Sequence, residues 1–397
     1  MNPFDDELNQ RLEALRKQGL RRELRRVDSA QGPRIKIGGK TFLNFSSNDY
    51  LGLVNHPALK EAAIKAVEKF GAGAGASRLI CGSLAPFHKL EETLADFKKA
   101  EAALTFSTGF AAAIGTICAL LGKDDIIVID KLVHACIVDA ARLSGARLRV
   151  FDHNDMEDLE NILKWSNKEF RHSTLVTRHI LIVTESIFSM DGDAAPLREI
   201  VALKEKYGAW LMVDEAHATG LYGKNRRGLA EDLGVSSQIE IQMGTLGKAL
   251  GASGGYICGS RPLIDFLVNR ARSFIFSTAP VPAAAAAATA GIRLVQSNEG
   301  KARCNSLWQL VKQFKSKLKT QNSEFAGAIT PILIGGENQA VEAAAKLREQ
   351  NIFIPAIRFP TVARGAARLR LTLTAAHKAG EINSLAAALE QIVNRKS

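Results

Sequence analysis

The sequence lacks the features of a secreted, disulfide-bonded protein. Its five cysteines show no CxxC spacing and are too few among 397 residues for an extracellular disulfide framework. The N-terminal stretch opens with acidic residues and has neither the basic nor the apolar region of a secretory signal. We therefore expect a cytoplasmic protein with reduced, mostly buried thiols and no bound metal.

Long hydrophobic runs are also missing. The uncharged stretch 104–122 approaches the length of a membrane span, but serine, threonine and glycine interrupt it and it lies mid-chain. It predicts buried structure and no membrane association.

The net charge of +11 would suit a nucleic-acid binder, but the densest basic run, RRELRR at 21–26, has no interleaved aromatic residue. Zinc-finger and RNP-like patterns are missing. We expect no nucleic-acid partner, and a solvated helix face or attraction to a polyanionic substrate such as a coenzyme A ester explains the charge as well.

The central part of the chain alternates between helical patterns and short apolar runs. A length of 397 residues with 46% hydrophobic residues suits a globular protein of two or three units. The alternation predicts an α/β fold, with a mainly parallel, seven-stranded sheet flanked by helices. The seven runs are 102–107, 125–129, 147–151, 179–184, 209–213, 239–244 and 254–258.

The two ends of the chain have different patterns. Residues 5–27 show a helical period, and a strand pair around Gly38 and Gly39 follows it. Near the C-terminus, amphipathic helical patterns at 301–319 and 338–350 accompany strands near 329–334 and 368–372, which predicts a small α+β domain. The predicted division is an N-terminal arm at 1–45, a large domain at 46–285 and a C-terminal domain at 286–397.

Two charged residues follow predicted strands. Asp214 ends the run AWLMVD, and in a parallel sheet a carboxylate there points into the crevice at the strand ends. A DEAH-type helicase would need a GxxxxGK[ST] loop upstream, and the sequence has none. Lys248 lies in the glycine-rich turn GTLGKALG; burial there would make its amine a usable nucleophile, although a lysine that caps a loop is the alternative.

Together these residues predict a pyridoxal phosphate site. A lysine forms the Schiff base with this cofactor, and a carboxylate keeps the pyridine nitrogen protonated, so that the ring becomes an electron sink. His217 is placed to reach the phenolic oxygen, and His134 is the candidate for stacking on the ring, although a lone histidine in an apolar run is more often a core residue. The segment FSTGF at 106–110 would offer helix N-terminal donors to the phosphate.

Six ordered motifs then identify a family. The segments LNFSSNDYLGL, FSTGF, TESIFSMDGD, VDEAHATG, GTLGKALG and RLRLTLTAAH resemble those of the α-oxoamine synthases, which are pyridoxal-phosphate-dependent transferases of fold type I, and the resemblance runs from about Leu20 to the C-terminus. It implies an acyltransferase that condenses an amino acid with an acyl thioester and releases carbon dioxide.

The resemblance leaves several substrates open. The AIRFPTV and RLRLTLTAAH stretches and Arg21 favour the biotin-pathway branch, with L-alanine and pimeloyl-CoA or a pimeloyl carrier protein as substrates. Glycine C-acetyltransferase, 5-aminolevulinate synthase and serine palmitoyltransferase share the same Lys–Asp–His core. A different reaction of a fold-type I enzyme is a further alternative.

The resemblance also implies how the cofactor is held. Lys248 forms the Schiff base and removes the Cα proton of the amino acid, Asp214 pairs with the pyridine nitrogen, and His134 stacks on the ring. His217 and Ser189 bond near the phenolic oxygen. The implied phosphate contacts are Gly109, Phe110 and Thr245, joined by Ser277 and Thr278 of the neighbouring subunit in a homodimer.

The implied substrate contacts are Asn48 and three arginines. Asn48 lines the pocket and Arg370 clamps the amino-acid carboxylate, because a guanidinium can bind a carboxylate through two hydrogen bonds. Arg21 and Arg358 contact the acyl chain or its distal carboxylate. For Arg21, which lies in the basic run, a solvated role is an equal alternative.

Overall fold

The computed structural model describes residues 2–171, 178–317 and 327–393. The chain forms two compact units. Unit 1 combines Met1–Tyr50, Met190–Gly192 and Asn305–Ser397, and unit 2 combines Leu51–Ser189 and Asp193–Cys304. The three-part division predicted from the sequence, with boundaries after residues 45 and 285, stays a proposal about how the chain folds.

The elements are numbered along the chain. The helices are α1 (Pro3–Lys17), α2 (Pro57–Phe70), α3 (Ala85–Lys98), α4 (Gly109–Leu120), α5 (Ala135–Ser144), α6 (Met156–Arg171), α7 (Leu197–Tyr207), α8 (Leu229–Asp232), α9 (Arg261–Arg270), α10 (Arg272–Ile275), α11 (Pro282–Gln296), α12 (Asn298–Lys317), α13 (Glu337–Glu349) and α14 (Ala379–Val393). The strands are β1 (Arg34–Ile37), β2 (Lys40–Asn44), β3 (Ala102–Phe106), β4 (Ile126–Asp130), β5 (Arg147–Phe151), β6 (Ile180–Glu185), β7 (Trp210–Asp214), β8 (Ile241–Thr245), β9 (Gly255–Gly259), β10 (Ile329–Gly335), β11 (Ile352–Phe353), β12 (Ala356–Ile357) and β13 (Ala367–Thr372).

Unit 2 contains the seven-stranded sheet, in the order β3-β9-β8-β7-β6-β4-β5. The strands from β8 to β5 run parallel, whereas β9 is antiparallel to both of its neighbours. Every residue of β4 and of β6 is buried, as expected of central strands covered by helices on both faces. The predicted α/β class and the mainly parallel, seven-stranded sheet are confirmed.

Three strands of this sheet end in an acidic residue. Each of β4, β6 and β7 extends one residue beyond the predicted apolar run, to Asp130, Glu185 and Asp214. Because parallel strands bring their carboxyl ends to one edge of the sheet, these side chains collect where α/β proteins form their ligand crevice.

Unit 1 contains two small sheets, in the orders β1-β2-β11 and β10-β13-β12. The hairpin β1–β2 turns at Gly38 and Gly39, whose φ angles of 54° and 76° lie in the left-handed region that glycine adopts without strain. Strand β13 is buried at every position and lies between β10 and β12. The strands predicted near 329–334 and 368–372 are therefore present.

The helical pattern predicted over 5–27 extends beyond the helix that the structure contains. Helix α1 ends at Lys17, because Gly19 adopts a φ of +68° and the N–H groups of Gly19 and Leu20 turn back to the carbonyl groups of Arg16 and Leu15. Leu20 is buried, whereas the leucines of α1 stay exposed. The predicted helix at 301–319 begins at Asn298, and its last two positions, 318 and 319, lie outside the described residues.

None of the helices in the described ranges is sufficiently long and apolar to cross a membrane. The stretch 104–122 instead supplies most of β3 and the helix α4.

Candidate active site

Two carboxyl groups lie side by side at the crevice edge of the sheet in unit 2. Glu185 and Asp214 are register partners on the parallel strands β6 and β7, so their side chains leave the same face. They are only 2% and 5% exposed. Asp214 Oδ1 accepts a hydrogen bond of 2.9 Å from the backbone N–H of Ala216, which fixes the direction of its carboxylate.

Lys248 and His217 meet at the same edge. Lys248 Nζ lies 2.7 Å from His217 Nε2, and the His217 side chain is buried. The turn that carries the lysine is closed by hydrogen bonds of 2.9 Å from Gly251 N to Lys248 O and from Ala252 N to Leu246 O. These hydrogen bonds fix the backbone position from which the Lys248 side chain extends.

A helix backbone packs directly against this turn. A Cβ atom at Gly291, in α11, would lie 2.1 Å from the carbonyl oxygen of Leu250, which excludes any larger residue without movement. Glycine is therefore required at 291 to let α11 approach the turn so closely.

Ser189 is buried in the loop that follows β6. The loop folds back on itself through a bridge between Ile187 and Ala194 and a hydrogen bond of 3.0 Å from Phe188 N to Asp193 O. Its end is held by His153, whose Nδ1 lies 2.9 Å from Asp130 Oδ1 and whose Nε2 lies 2.7 Å from Asp193 Oδ2.

His153 should stabilise unit 2 only while it is charged. Desolvation lowers its pKa, but the hydrogen bonds to Asp130 and Asp193 outweigh desolvation and raise the pKa to about 10. A raised pKa in the folded state gives a contribution that is complete below the unfolded-state pKa of roughly 6.5 and is lost as pH rises through about 10. His153→Gln should therefore lower the free energy of unfolding by roughly 1–3 kcal/mol at pH 6.5.

The measurement is chemical denaturation of both proteins at pH 6.5, 8 and 10. The difference should shrink as pH rises; a difference that stays constant across this range would show that the imidazolium ion pairs contribute nothing. Lys131→Gln, which removes an exposed ion pair with Asp152, is the matched control and should leave stability almost unchanged at every pH, because solvent screens an exposed pair.

His134 caps the N-terminus of α5. Its Nδ1 accepts a hydrogen bond of 3.2 Å from Cys136 N, and the residue is exposed. Desolvation of the ring lowers its pKa, with opposing effects from the charges of Asp214 and Lys248. His134 therefore lies within electrostatic range of Asp214 and Lys248, and its stacking on the cofactor ring stays a proposal.

The predicted phosphate site lies at the start of α4. Thr108 caps this helix by accepting a hydrogen bond of 3.0 Å from Ala111 N, and the first helical residues are Gly109 and the exposed Phe110. A Cβ atom at Gly255 would lie 2.6 Å from Gly109 N, so glycine at that position lets β9 approach the helix terminus. The free N–H groups of a helix N-terminus favour phosphate.

Thr245 has a local role that the sequence did not indicate. Its hydroxyl group lies 3.0 Å from the carbonyl oxygen of Gly254, to which it donates, and accepts from Gly247 N at 3.2 Å. The only hydroxyl proton of Thr245 is therefore already donated to the Gly254 carbonyl oxygen. The predicted contact of Thr245 with the phosphate stays a proposal.

The cluster fits pyridoxal phosphate. A buried carboxylate suits its pyridine nitrogen, an amine suits its aldehyde, and a helix N-terminus suits its phosphate. Glu185 Oε1, a buried oxygen for which the described residues offer no hydrogen-bond partner, also shows that the polar groups here are not mutually satisfied. Such an arrangement is expected of a site built for a ligand.

Asn48 and Arg370 meet within unit 1. Arg370, on β13, is 7% exposed, and its Nη1 donates a hydrogen bond of 3.1 Å to Asn48 Oδ1. Asn48 Oδ1 also lies 3.3 Å from the hydroxyl oxygen of Tyr50. The structure therefore brings together Asn48, predicted to line the pocket, and Arg370, predicted to clamp the amino-acid carboxylate.

Arg21 and Arg358 line a separate cavity of unit 1, with a volume of about 700 Å³. Arg358 Nη1 donates to the carbonyl oxygen of Gly19, and its Nη2 lies 3.4 Å from the carbonyl oxygen of Arg21. Desolvation and the positive charges of Arg22 and Arg25 lower the pKa of Arg358. A cavity with this concentration of positive charge suits an anionic group.

The predicted intersubunit residues lie beside the glycine-rich loop 71–77. Thr278 is exposed and pairs with Ser77 in an antiparallel bridge, and Ser277 is half-buried. The neighbouring side chains of Ile80 and Phe276 are 80% and 70% exposed.

Sequence reasoning assigned no role to Glu185 or Cys136. Glu185 carries the same signal that singled out Asp214, a carboxylate at the end of an apolar strand, so the sequence could have indicated it. The thiol of Cys136 is buried 3.0 Å from His134 Nδ1, and its pKa is raised by burial and by the charge of Asp214.

Comparisons with known proteins agree with this architecture. The model of the family "Aminotransferase class I and II" matches residues 40–389. An 8-amino-7-oxononanoate synthase from Thermoanaerobacter pseudethanolicus is 45% identical over 390 residues, which cover 98% of this chain and 96% of that protein. A protein of the same name from Citrifermentans bemidjiense is 46% identical over 395 residues, covering 99% and 98%.

Solved structures give the same result. Serine palmitoyltransferase from S. paucimobilis matches with a TM-score of 0.89 at 28% identity, covering 98% of this chain and 97% of that chain. The 8-amino-7-oxononanoate synthase of Francisella tularensis matches with a TM-score of 0.74 at 27% identity, covering 89% and 98%.

A mainly parallel sheet with a buried aspartate and a lysine at its carboxyl edge defines a fold-type I transferase, and the chain belongs to the class I and II aminotransferase family. Within this family, its curated relatives described above share the name 8-amino-7-oxononanoate synthase. The family resemblance carried by the six motifs is thereby confirmed.

Proposed function

We propose that the protein is an acyltransferase that condenses L-alanine with a pimeloyl thioester, in biotin biosynthesis. A bond forms between alanine Cα and the thioester carbonyl carbon, the C–S bond breaks to release the thiol, and the alanine carboxyl group leaves as carbon dioxide. The product is 8-amino-7-oxononanoate. The observation that carries this proposal is 45–46% identity, over nearly the whole chain, to relatives that bear this product's name.

The cofactor is pyridoxal phosphate, which supplies an electron sink for the charge that develops at Cα. Asp214 would hold the pyridine nitrogen, and Ser189 with His217 would bond near the phenolic oxygen. His134 would cover the ring face. Gly109, Phe110 and Thr245 would hold the phosphate.

Lys248 is the proposed base. Its Nζ would take the proton from alanine Cα and later return one to the product. His217 Nε2, at 2.7 Å, orients that amine by a hydrogen bond. A general base at the reacting atom contributes roughly 10²–10⁴-fold to rate.

Arg370 would bind the alanine carboxylate, oriented by its hydrogen bond to Asn48. Arg21 and Arg358 would contact the acyl chain or its distal carboxylate in their cavity. A buried guanidinium that binds a carboxylate through two hydrogen bonds also fixes its orientation.

Arg370→Ala should raise the KM for L-alanine about 10–100-fold, because it removes charge-assisted hydrogen bonds worth roughly 1.5–3 kcal/mol. Cofactor affinity should change little, and Arg370→Lys should fall between the two proteins because it keeps the charge but loses the planar fork. Steady-state kinetics and a cofactor titration check this. Equal losses in alanine and cofactor affinity would count against the clamp.

We propose that the active protein is a homodimer in which each active site contains residues of both subunits. Phe4, Leu8, Leu12 and Leu15 lie at helical spacing along α1 and are 66%, 40%, 43% and 41% exposed, an apolar stripe that a second copy would cover. The exposed Ile80 and Phe276 beside Thr278 support the same proposal.

Subunit exchange tests the sharing. Thr278→Asp places a negative charge where the partner's phosphate would bind, so it should inactivate the dimer, as should Lys248→Ala. If the two residues serve one site from opposite subunits, mixing the variants should restore about a quarter of the activity, because half of the dimers are hybrids with one intact site each. No recovery after verified exchange would contradict the shared site.

A cytoplasmic location stays part of the proposal.

The function is tested by thiol release from pimeloyl-CoA by the cofactor-loaded protein. L-alanine, glycine and L-serine are each supplied with pimeloyl-CoA, acetyl-CoA and palmitoyl-CoA. Release that requires both L-alanine and pimeloyl-CoA would support the proposal. Release with glycine and acetyl-CoA, or with L-serine and palmitoyl-CoA, would assign the glycine C-acetyltransferase or the serine palmitoyltransferase reaction instead.

A further inference from the structure

Glu185 is a buried acid for which the proposed mechanism has no use. It is the last residue of β6, it is 2% exposed, and its register partner on β7 is Asp214. Side chains of register partners on adjacent parallel strands leave the same face, so the two carboxyl groups face one crevice.

The groups that act on Glu185 come from four elements. Asp214 adds a like charge from β7, and Lys248 an opposite charge from its turn. The backbone N–H groups of His134 and Ser189 bond to the same carboxyl, and the buried Cys136 thiol lies 3.0 Å from His134 Nδ1. Glu185 thus connects the segments that carry four predicted cofactor residues.

These surroundings do not suit a second negative charge. Among the described residues, Glu185 Oε1 is buried and accepts a hydrogen bond from no donor. Leaving such an atom unsatisfied is destabilising, and more so if the group is charged. Burial and the adjacent charge of Asp214 raise the pKa of Glu185 to about 8, although Lys248 and the two N–H groups lower it.

We propose that Glu185 is a positioning residue that remains protonated and donates a hydrogen bond to Asp214, fixing the Asp214 carboxylate toward the pyridine nitrogen. Two adjacent buried carboxyl groups do not both ionise readily, so they share one proton. The pair then carries a single negative charge, which matches the single positive charge of a protonated pyridine. The cofactor part rests on the proposed function, whereas the shared proton does not.

The proton is tested by infrared difference spectroscopy of the full-length chain, with and without pyridoxal phosphate. The wild-type protein minus Glu185→Gln should show the carbonyl stretch of a protonated carboxyl group at pH 6.5. Without cofactor, this band should disappear as pH rises, with a midpoint near 8. Glu381→Gln is the control, because Glu381 is also buried but is paired with Arg34 at 2.8 Å, and its difference spectrum should lack the band.

The positioning role is tested by cofactor affinity, read from the absorbance of bound pyridoxal phosphate. Glu185→Gln keeps a donor toward Asp214, so its dissociation constant should stay within about threefold of the wild-type value. Glu185→Ala leaves Asp214 without that donor and should weaken binding about tenfold. Circular dichroism verifies that both variants fold; if Glu185→Ala does not, Glu185→Leu replaces it.

The outcomes separate the two proposals. Absence of the protonated band would overturn the inference whether or not the protein binds the cofactor. A band together with equal cofactor affinity in all variants would refute the positioning role alone. If the wild-type protein showed the band but bound no pyridoxal phosphate, the proposed function would fail and the positioning role with it, while the shared proton would stand.

Discussion

Lys248→Ala should lower turnover by at least about 10³-fold, the largest effect expected of any single substitution in this chain. The variant loses both the amine proposed to attach the cofactor and the proposed base at alanine Cα. Because attachment to the lysine gives the bound cofactor its yellow absorbance, the purified variant should also be colourless. Thiol release and the absorbance spectrum measure the two consequences separately.

The control for this substitution is Lys224→Ala. Lys224 is an exposed residue of the same unit, and its removal should leave both readouts near the wild-type values. A Lys248→Ala protein that retained full turnover would exclude the central assignment, and the lysine would then be one that caps a loop.

Asp214→Asn should lower kcat by about 10²–10³-fold, the second largest expected effect. The amide keeps the size of the side chain and the oxygen that accepts from Ala216 N at 2.9 Å, but it cannot hold a proton on the pyridine nitrogen by charge. The cofactor should remain bound through Lys248, with an altered absorbance. The loss should therefore appear in kcat rather than in cofactor content.

Comparison with Glu185→Gln shows whether the loss of kcat in Asp214→Asn is due to the negative charge of Asp214. Both substitutions convert a buried acid into its amide on neighbouring strands, but only Asp214 is expected to carry the negative charge. Similar losses of kcat in the two variants would mean that the charge is divided between the carboxyl groups, against the assignment of the proton to Glu185.

The sheet and the lysine turn could be predicted because their signals are local. Apolar runs and glycine-rich turns follow one another along the sequence, and each run ends within about two residues of its strand. Asp214 was found because it directly follows such a run, and Lys248 because it lies in the glycine-rich turn just after the next one. The confirmed fold class depends on these same periodicities.

Contacts between residues far apart in the sequence could not be predicted from local sequence patterns. The hydrogen bond from Arg370 to Asn48 joins residues 322 positions apart, and no spacing indicates it. The pairing of Glu185 with Asp214 depends on strand order, which periodicity does not give. Helix α1 was predicted too long because the leucine period continues past Gly19, where the backbone turns left-handed.

The close packing of α11 on the lysine turn restricts substitutions near the lysine in unit 2, but it does not restrict substitutions in unit 1. Gly291 and the turn's own hydrogen bonds hold the amine with backbone atoms of unit 2, whereas Asn48 and Arg370 make their contact inside unit 1. Under the proposed function, in which Asn48 and Arg370 bind the substrate, substitutions that adapt unit 1 to a new amino acid or acyl chain need not disturb the backbone that presents the lysine. Such independence would let one scaffold diversify its substrates while sequence identity falls to 28% and the TM-score stays at 0.89.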